Sequence, residues 1–233
     1  MRLSLKRGLV TLSVVSFVAV GAATVAPGGS SSADIQPRSS VKFRGSIEKL
    51  DLDLKKRMTG NSWHQGCPVP LRNLRLLKVD HWGFNRKVRR GYLVVNADSS
   101  RDILRVFRTL FRNRYAIRRM RLVDAYGSND RRSMKADNTS AFNCREISGR
   151  PGVWSQHAYG RAIDVNPVEN PYVVPGGYVS PPAGRPFAKR HPRRKGMIGP
   201  RGKVVKAFAR AGWSWGGNWY GTKDYQHFSA TGS

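Results

Sequence analysis

The chain has 233 residues, 39% hydrophobic and 10% aromatic, which leaves room for one catalytic-size domain and a short tail rather than for several domains. Its 42 Lys and Arg stand against 14 Asp and Glu, a formal charge of +28 that rules out ordinary globular balance and repels itself unless a polyanion is near. Nucleic acid, anionic lipid and anionic cell-wall polymer are the candidate partners.

From the N-terminus, Arg2, Lys6 and Arg7 precede an uncharged, mainly apolar run from Leu9 to Ala26, with small residues at Ala26 and at Ser31 to Ala33. This is the layout of an export signal. We read residues 1–33 as a signal peptide, cleaved after about 26 or 33. A retained membrane anchor is the alternative, and the body is exported in either case. Residues 34–57, rich in Ser, Gly and Lys with weak periodicity, read as a linker, so the folded domain is expected over 58–233.

Within that domain, Gly91 opens Tyr92-Leu93-Val94-Val95-Asn96, the pattern of a buried strand. Ser99 and Ser100 are placed to cap a helix whose Ile103, Val106, Phe107, Leu110 and Phe111 form one apolar face. Arg101, Arg105, Arg108 and Arg112 form its other face. Met120, Leu122 and Asp124 alternate as in a strand over 117–126, and Arg161 to Val165 reads as another. The segment 167–200, heavy in Pro and Gly, reads as a surface loop or a lid, and 181–210 holds many Lys and Arg and no acid. A helix over about 203–211 ends at Gly212, which suits a left-handed cap, and a strand-like aromatic tail follows. The expected class is α+β, a single domain with a central antiparallel sheet flanked by helices.

The densest chemical signal is S-Q-H-A-Y-G-R-A-I-D over 155–164, followed far downstream by D-Y-Q-H over 224–227. A catalytic zinc takes three protein ligands and leaves a position for water, and two His with one carboxylate is a known hydrolytic set. A His before a turn and an Asp on the next strand can converge, and a carboxylate three residues before a His can set a base beside a ligand. His64, His81 and His191 have no such partners. Cys67 and Cys144, in a body expected to be exported, pair as a disulfide, since two cysteines offer one connectivity. A catalytic thiol or thiolate ligand would need closer Cys or His spacing.

The pattern S-x-H-x-x-G-x-A-x-D, then W-G-G, then D-x-x-H-F resembles the zinc D-alanyl-D-alanine peptidases, which include VanX- and VanY-type enzymes and the L-alanoyl-D-glutamate peptidases of phage endolysins. The resemblance covers roughly 118–229. It implies one Zn2+ held by His157, Asp164 and His227, with Asp224 as the base assisting attack of zinc-bound water on a peptidoglycan stem peptide. Ser155 and Gly160 take structural places, the first as a hydroxyl that fixes the turn, the second as a residue whose missing side chain permits close approach. Relatives carry an oxyanion-stabilising Arg shortly after an aromatic on an earlier strand. Here Asp124-Ala125-Tyr126 is followed by Gly127, and Arg145 in A-F-N-C-R is the substitute candidate, with a surface role as its alternative.

The expectation is a secreted, wall-associated, monomeric zinc metallopeptidase of the carboxypeptidase type. Its substrate is peptidoglycan peptide, its basic surface faces anionic wall polymers, and no specific nucleic acid is expected. A non-catalytic wall-binding module of the same fold, or a cationic polyanion binder, are the competing readings.

Overall fold

The computed structural model describes residues 11–14, 16 and 41–232, so the expected signal peptide lies almost wholly outside the described residues. The chain divides into 1–40 and 41–233, and the elements below all belong to the second unit. Among the described residues no helix is long and apolar enough to cross a membrane.

Folding begins earlier than the expected boundary at residue 58. Strand β1 (Gly45–Lys49) and helix α1 (Leu52–Met58) lie inside the expected linker. The Asp51 carboxylate caps α1 by accepting from the Leu54 N–H at 2.7 Å, and the helix buries Leu54 and Met58. β1 pairs along its whole length with β2 (Leu74–Trp82), from Gly45 opposite Val79 to Lys49 opposite Arg75. Its polar sequence reads as linker because this edge strand is held mainly by backbone pairing, which leaves little mark on side-chain composition.

β2 continues antiparallel into β3 (Val88–Asn96), which extends the expected strand toward the N-terminus. Helix α2 (Ser100–Arg112) lies against β2 and buries Ile103, Val106, Phe107, Leu110 and Phe111. Ser99 occupies the cap position, but its hydroxyl donates to Asp98 Oδ1 and makes no cap bond. The alternation over 117–126 gives only β4 (Arg119–Met120), because Val123–Tyr126 closes into a 3-10 turn ended by Gly127. After α3 (Asp130–Lys135), β5 (Asn138–Thr139) pairs with β4 in parallel.

The remaining chain forms a small hairpin, β6 (Glu146–Ile147) with β7 (Arg150–Trp154), then β8 (Ala162–Asp164), β9 (Tyr172–Val173) and β10 (Val179–Ser180). Helices α4 (Arg185–Ala188) and α5 (Lys203–Ala209) come next, then β11 (Ser214–Trp215), β12 (Lys223–Asp224) and β13 (His227–Ser229). The class is α+β, with its antiparallel pairing divided among small sheets: β1-β2-β3, β11-β13-β8 and β10-β9-β12. The main core joins the first two, with Leu77, Val79, Leu93 and Val95 meeting the α2 face, Ile163, Phe208 and Phe228, and a second cluster gathers Leu54, Met58, Leu74, Val94 and Phe142. Phe208 of α5 stacks on Phe228 of β13 with centroids 3.9 Å apart.

Two fastenings matter for the site. Cys67 and Cys144 form a disulfide, with Cα atoms 5.9 Å apart, that ties the segment after α1 to the chain entering β6. The segment 167–200 is pinned by Arg190, whose guanidinium donates to the carbonyls of Glu169, Phe187 and Ile198 and to Asn170 Oδ1. These bonds hold its two halves together as a packed loop.

Candidate metal centre

His227 and Asp164 face each other across the β13–β8 pair as direct register partners, so their side chains leave the same face of the sheet. The alternation of the strands then puts Phe228 and Ile163 on the opposite, core face, where both are fully buried. The meeting of two residues 63 positions apart is thus a consequence of strand register.

His157 arrives from a different element, the 3-10 turn Gln156–Tyr159. Ser155 precedes that turn and its Oγ accepts from the His157 N–H at 3.3 Å. The extended chain 141–145 runs beside it: Asn143 N–H donates to the His157 carbonyl, and Ser155 N–H donates to the Arg145 carbonyl. His157 Nδ1 lies 2.6 Å from the Ala141 carbonyl oxygen. A carbonyl only accepts, so Nδ1 carries a proton and Nε2 is the nitrogen left to meet a ligand.

Gly160 closes the turn in the left-handed region, at φ 66°, and a Cβ there would meet the Asn96 nitrogen at 2.6 Å. The close approach that it permits is therefore to the end of β3, where Asn96 N–H donates to the Gly160 carbonyl. Gly216, of the W-G-G segment, has a role that motif reading missed. A Cβ at Gly216 would lie 2.7 Å from the Asp224 carbonyl oxygen and 3.3 Å from His227 Cβ. The signal was present in the two consecutive glycines, but its meaning depends on which strands pack against them.

The three side chains converge. Asp164 sets Oδ1 3.0 Å from His227 Nδ1 and Oδ2 3.2 Å from His157 Nε2. The imidazole centroids are 5.3 Å apart, edge to face, and Trp219 packs beside His227 with centroids 5.5 Å apart. One ligand atom from each of His157, Asp164 and His227 falls within 4.8 Å of the others, and all three residues are buried. His157 Nε2 is shut off from water without hydrogen-bond geometry to any partner. A buried lone pair beside a carboxylate and a second imidazole fits a divalent cation, which would replace the missing partner.

Electrostatics divides the two carboxylates of the site. Burial opposes ionisation of Asp164, but His157 and His227 outweigh it and hold the carboxyl well below the usual range. Asp224, on β12 opposite Tyr172, has its carboxyl pushed up to about 7, first by burial and then by the charge of Asp164, with His227 acting in the other direction. Its Oδ1 is buried without a hydrogen-bond partner. One carboxylate is suited to holding a cation, and the other to exchanging a proton near neutral pH.

Arg145 is not brought into this cluster by any hydrogen bond or ion pair. Its guanidinium pairs with Asp130 at 3.0 Å, and its Nε is buried without a partner. Tyr126 ends the 3-10 turn at Gly127, so no arginine follows that aromatic on a strand.

No curated protein and no solved structure matches the chain. Residues 148–230, which hold His157, Asp164, Asp224 and His227, do match the family described as D-alanyl-D-alanine carboxypeptidase.

Proposed function

We propose that His157, Asp164 and His227 hold a single zinc ion and that the protein is an exported, wall-associated peptidase acting on the D-amino-acid-containing stem peptides of peptidoglycan. The observation that carries this reading is the buried convergence of two imidazoles and a carboxylate beside a second carboxylate that titrates near neutrality. A non-catalytic wall-binding module would have no use for that second group. The family description favours the terminal D-Ala–D-Ala bond, with the L-Ala–D-Glu link as the alternative.

Zinc, when bound, supplies a Lewis acid that polarises the scissile carbonyl and makes water a stronger nucleophile. The protein's own contribution is positional and protonic. Ala141, through its carbonyl, keeps the proton of His157 on Nδ1 and turns Nε2 toward the ligand cluster. Asp224 would take a proton from the attacking water and pass it to the departing amine, a role suited to a buried carboxyl whose Oδ1 has no hydrogen-bond partner in the protein. Arg145 is the candidate oxyanion donor from its place in the chain just before the motif, and its guanidinium, paired with Asp130, would have to turn toward the cluster to serve.

The +28 charge draws the domain toward anionic wall polymers, an attraction that salt screens. Incubating the zinc-loaded protein with defined muropeptides, followed by mass spectrometry, tests the reading. Release of terminal D-Ala or cleavage at L-Ala–D-Glu supports it and names the bond. Stoichiometric zinc with every peptide intact would leave the binding-module reading instead.

A further inference from the structure

We infer that the domain carries a second binding site, apart from the metal centre, in which Arg114, Arg193, Lys195 and Lys203 hold the phosphodiester groups of a polyol-phosphate polymer. The choice of a wall-type polymer rests on the peptidase reading; the existence of an anion groove does not.

The groove, of about 310 Å3, lies between the residues that follow α2 and the stretch 193–204 that leads into α5. α2 ends at Asn113, and Arg114 turns the chain in the left-handed region at φ 50°. Tyr115 then crosses to the other wall, where its hydroxyl donates to the Gly196 carbonyl. Met197, Ile198 and Val204 contribute apolar lining, and no Asp or Glu lines the groove.

All four cations are exposed, and none forms an ion pair with a carboxylate among the described residues. Some cations elsewhere in the domain do have carboxylate partners: Arg118 is paired with Asp137 and Glu169, and Arg145 with Asp130. Clustered like charges without a counter-charge cost free energy, and an anionic ligand removes that cost.

Three of the four cations are held in place by contacts that do not consume their charge. The Arg114 guanidinium lies 5.4 Å from the centroid of the Trp82 ring. Lys195 Nζ donates to the Phe84 carbonyl. The Arg193 guanidinium occupies the space that a side chain on Gly199 would fill. Holding donors in advance lowers the ordering cost of binding.

The chemistry of the lining chooses among phosphates. Tyr115 is the one aromatic residue lining the groove, and its hydroxyl is tied to Gly196, so the groove offers at most one ring where a run of nucleobases would need several on which to stack. A phosphodiester polymer without bases makes full use of the four cations.

Titration calorimetry of the full chain with a poly(glycerol phosphate) of defined length tests the site. The triple variant Arg193→Gln, Lys195→Gln, Lys203→Gln should weaken binding at least tenfold. A control with the same loss of charge on the exposed face of α2, Arg101→Gln, Arg105→Gln, Arg112→Gln, should stay within about twofold. Equal weakening in the two variants, or none in the first, would overturn the site in favour of diffuse attraction. Equal or tighter binding of a single-stranded oligonucleotide of the same charge would overturn the choice of polymer. Binding to phosphatidylglycerol vesicles or to inorganic phosphate, without binding to the polymer, would do the same. Thermal unfolding checks that the triple variant is folded, and Lys203→Gln alone should show a smaller loss in the same direction. Metal-stripped protein should bind unchanged, which separates this result from any failure of the peptidase reading.

Discussion

Two places in this domain bring three potential metal-binding side chains within 4.8 Å of one another: His157, Asp164 and His227, and His64, Cys67 and Cys144. On ligand proximity alone the two are equal. In the second, both sulfurs are joined to each other, and His64, an exposed residue, has its Nε2 3.6 Å from Cys144 Sγ. A sulfur in a disulfide has no thiolate to offer. In the first, the buried His157 Nε2 has a carboxylate oxygen of Asp164 beside it at 3.2 Å but no hydrogen-bond partner. The contrast teaches that convergence of side chains marks a candidate metal site only where the donor atoms are not already joined covalently to one another.

Replacing His157, Asp164 or His227 by Ala should break the comparison most completely. A three-ligand site cannot spare one ligand, so metal content and peptide hydrolysis should be lost together. Metal analysis of the oxidised variants should find no compensating ion at His64; zinc retained at full stoichiometry in any of the three would refute its role as a ligand.

Cys67→Ser with Cys144→Ser tests the other cluster. The bridge spans 77 positions, for which the chain-entropy relation gives a stabilisation of about 4.5 kcal/mol. Denaturant unfolding should show a loss approaching that size, while folded protein still binds one zinc. A variant that folds normally but binds no metal would mean that the two clusters are not separable in function.

A third variant sharpens the division of labour inside the metal centre. Asp224→Asn should keep its zinc and its fold yet lose on the order of a hundredfold in turnover, about 2.7 kcal/mol of transition-state stabilisation. If the substitution strips the metal, Asp224 is a ligand and the assignment of Asp164 or His157 is wrong.

The smallest effect concerns pH. In the metal-free protein the Asp224 carboxyl is raised to about 7 from an ordinary value of 3.8. Between those values the folded state binds the extra proton, so this group's stabilising contribution is complete below about pH 4 and is lost as pH rises through 7. Between pH 5 and 8 the unfolding midpoint of metal-free wild type should therefore fall further than that of Asp224→Asn. Zinc should reduce the difference, because a nearby cation lowers the carboxyl's pKa. Equal slopes for the two metal-free proteins would show that Asp224 is not perturbed in this way.

Much of the domain is legible in the order of its residues. The face Ile103, Val106, Phe107, Leu110 and Phe111 is buried as its spacing requires, because helical periodicity is a local property that burial only has to satisfy. The α+β class follows from the interspersed helix and strand patterns, and the pairing of the two cysteines from their number and the expected export. β1 and α1 look like linker by composition, since a polar edge strand is specified by its partner β2. The strand expected over 117–126 is instead a two-residue bridge and a 3-10 turn, because short-range alternation says nothing about whether a neighbour is there to pair.

The sequence by itself determined which groups are available to the site: two imidazoles, two carboxylates, and glycines at 160 and 216. Only the tertiary structure decided their roles. Register sets Asp164 opposite His227, a backbone carbonyl at Ala141 fixes the tautomer of His157, and the charge of Asp164 helps push the neighbouring Asp224 upward. The physical reason is that identity and spacing are written along the chain, whereas a pKa, a tautomer and a free lone pair are set by atoms that are distant in sequence and arrive only on folding.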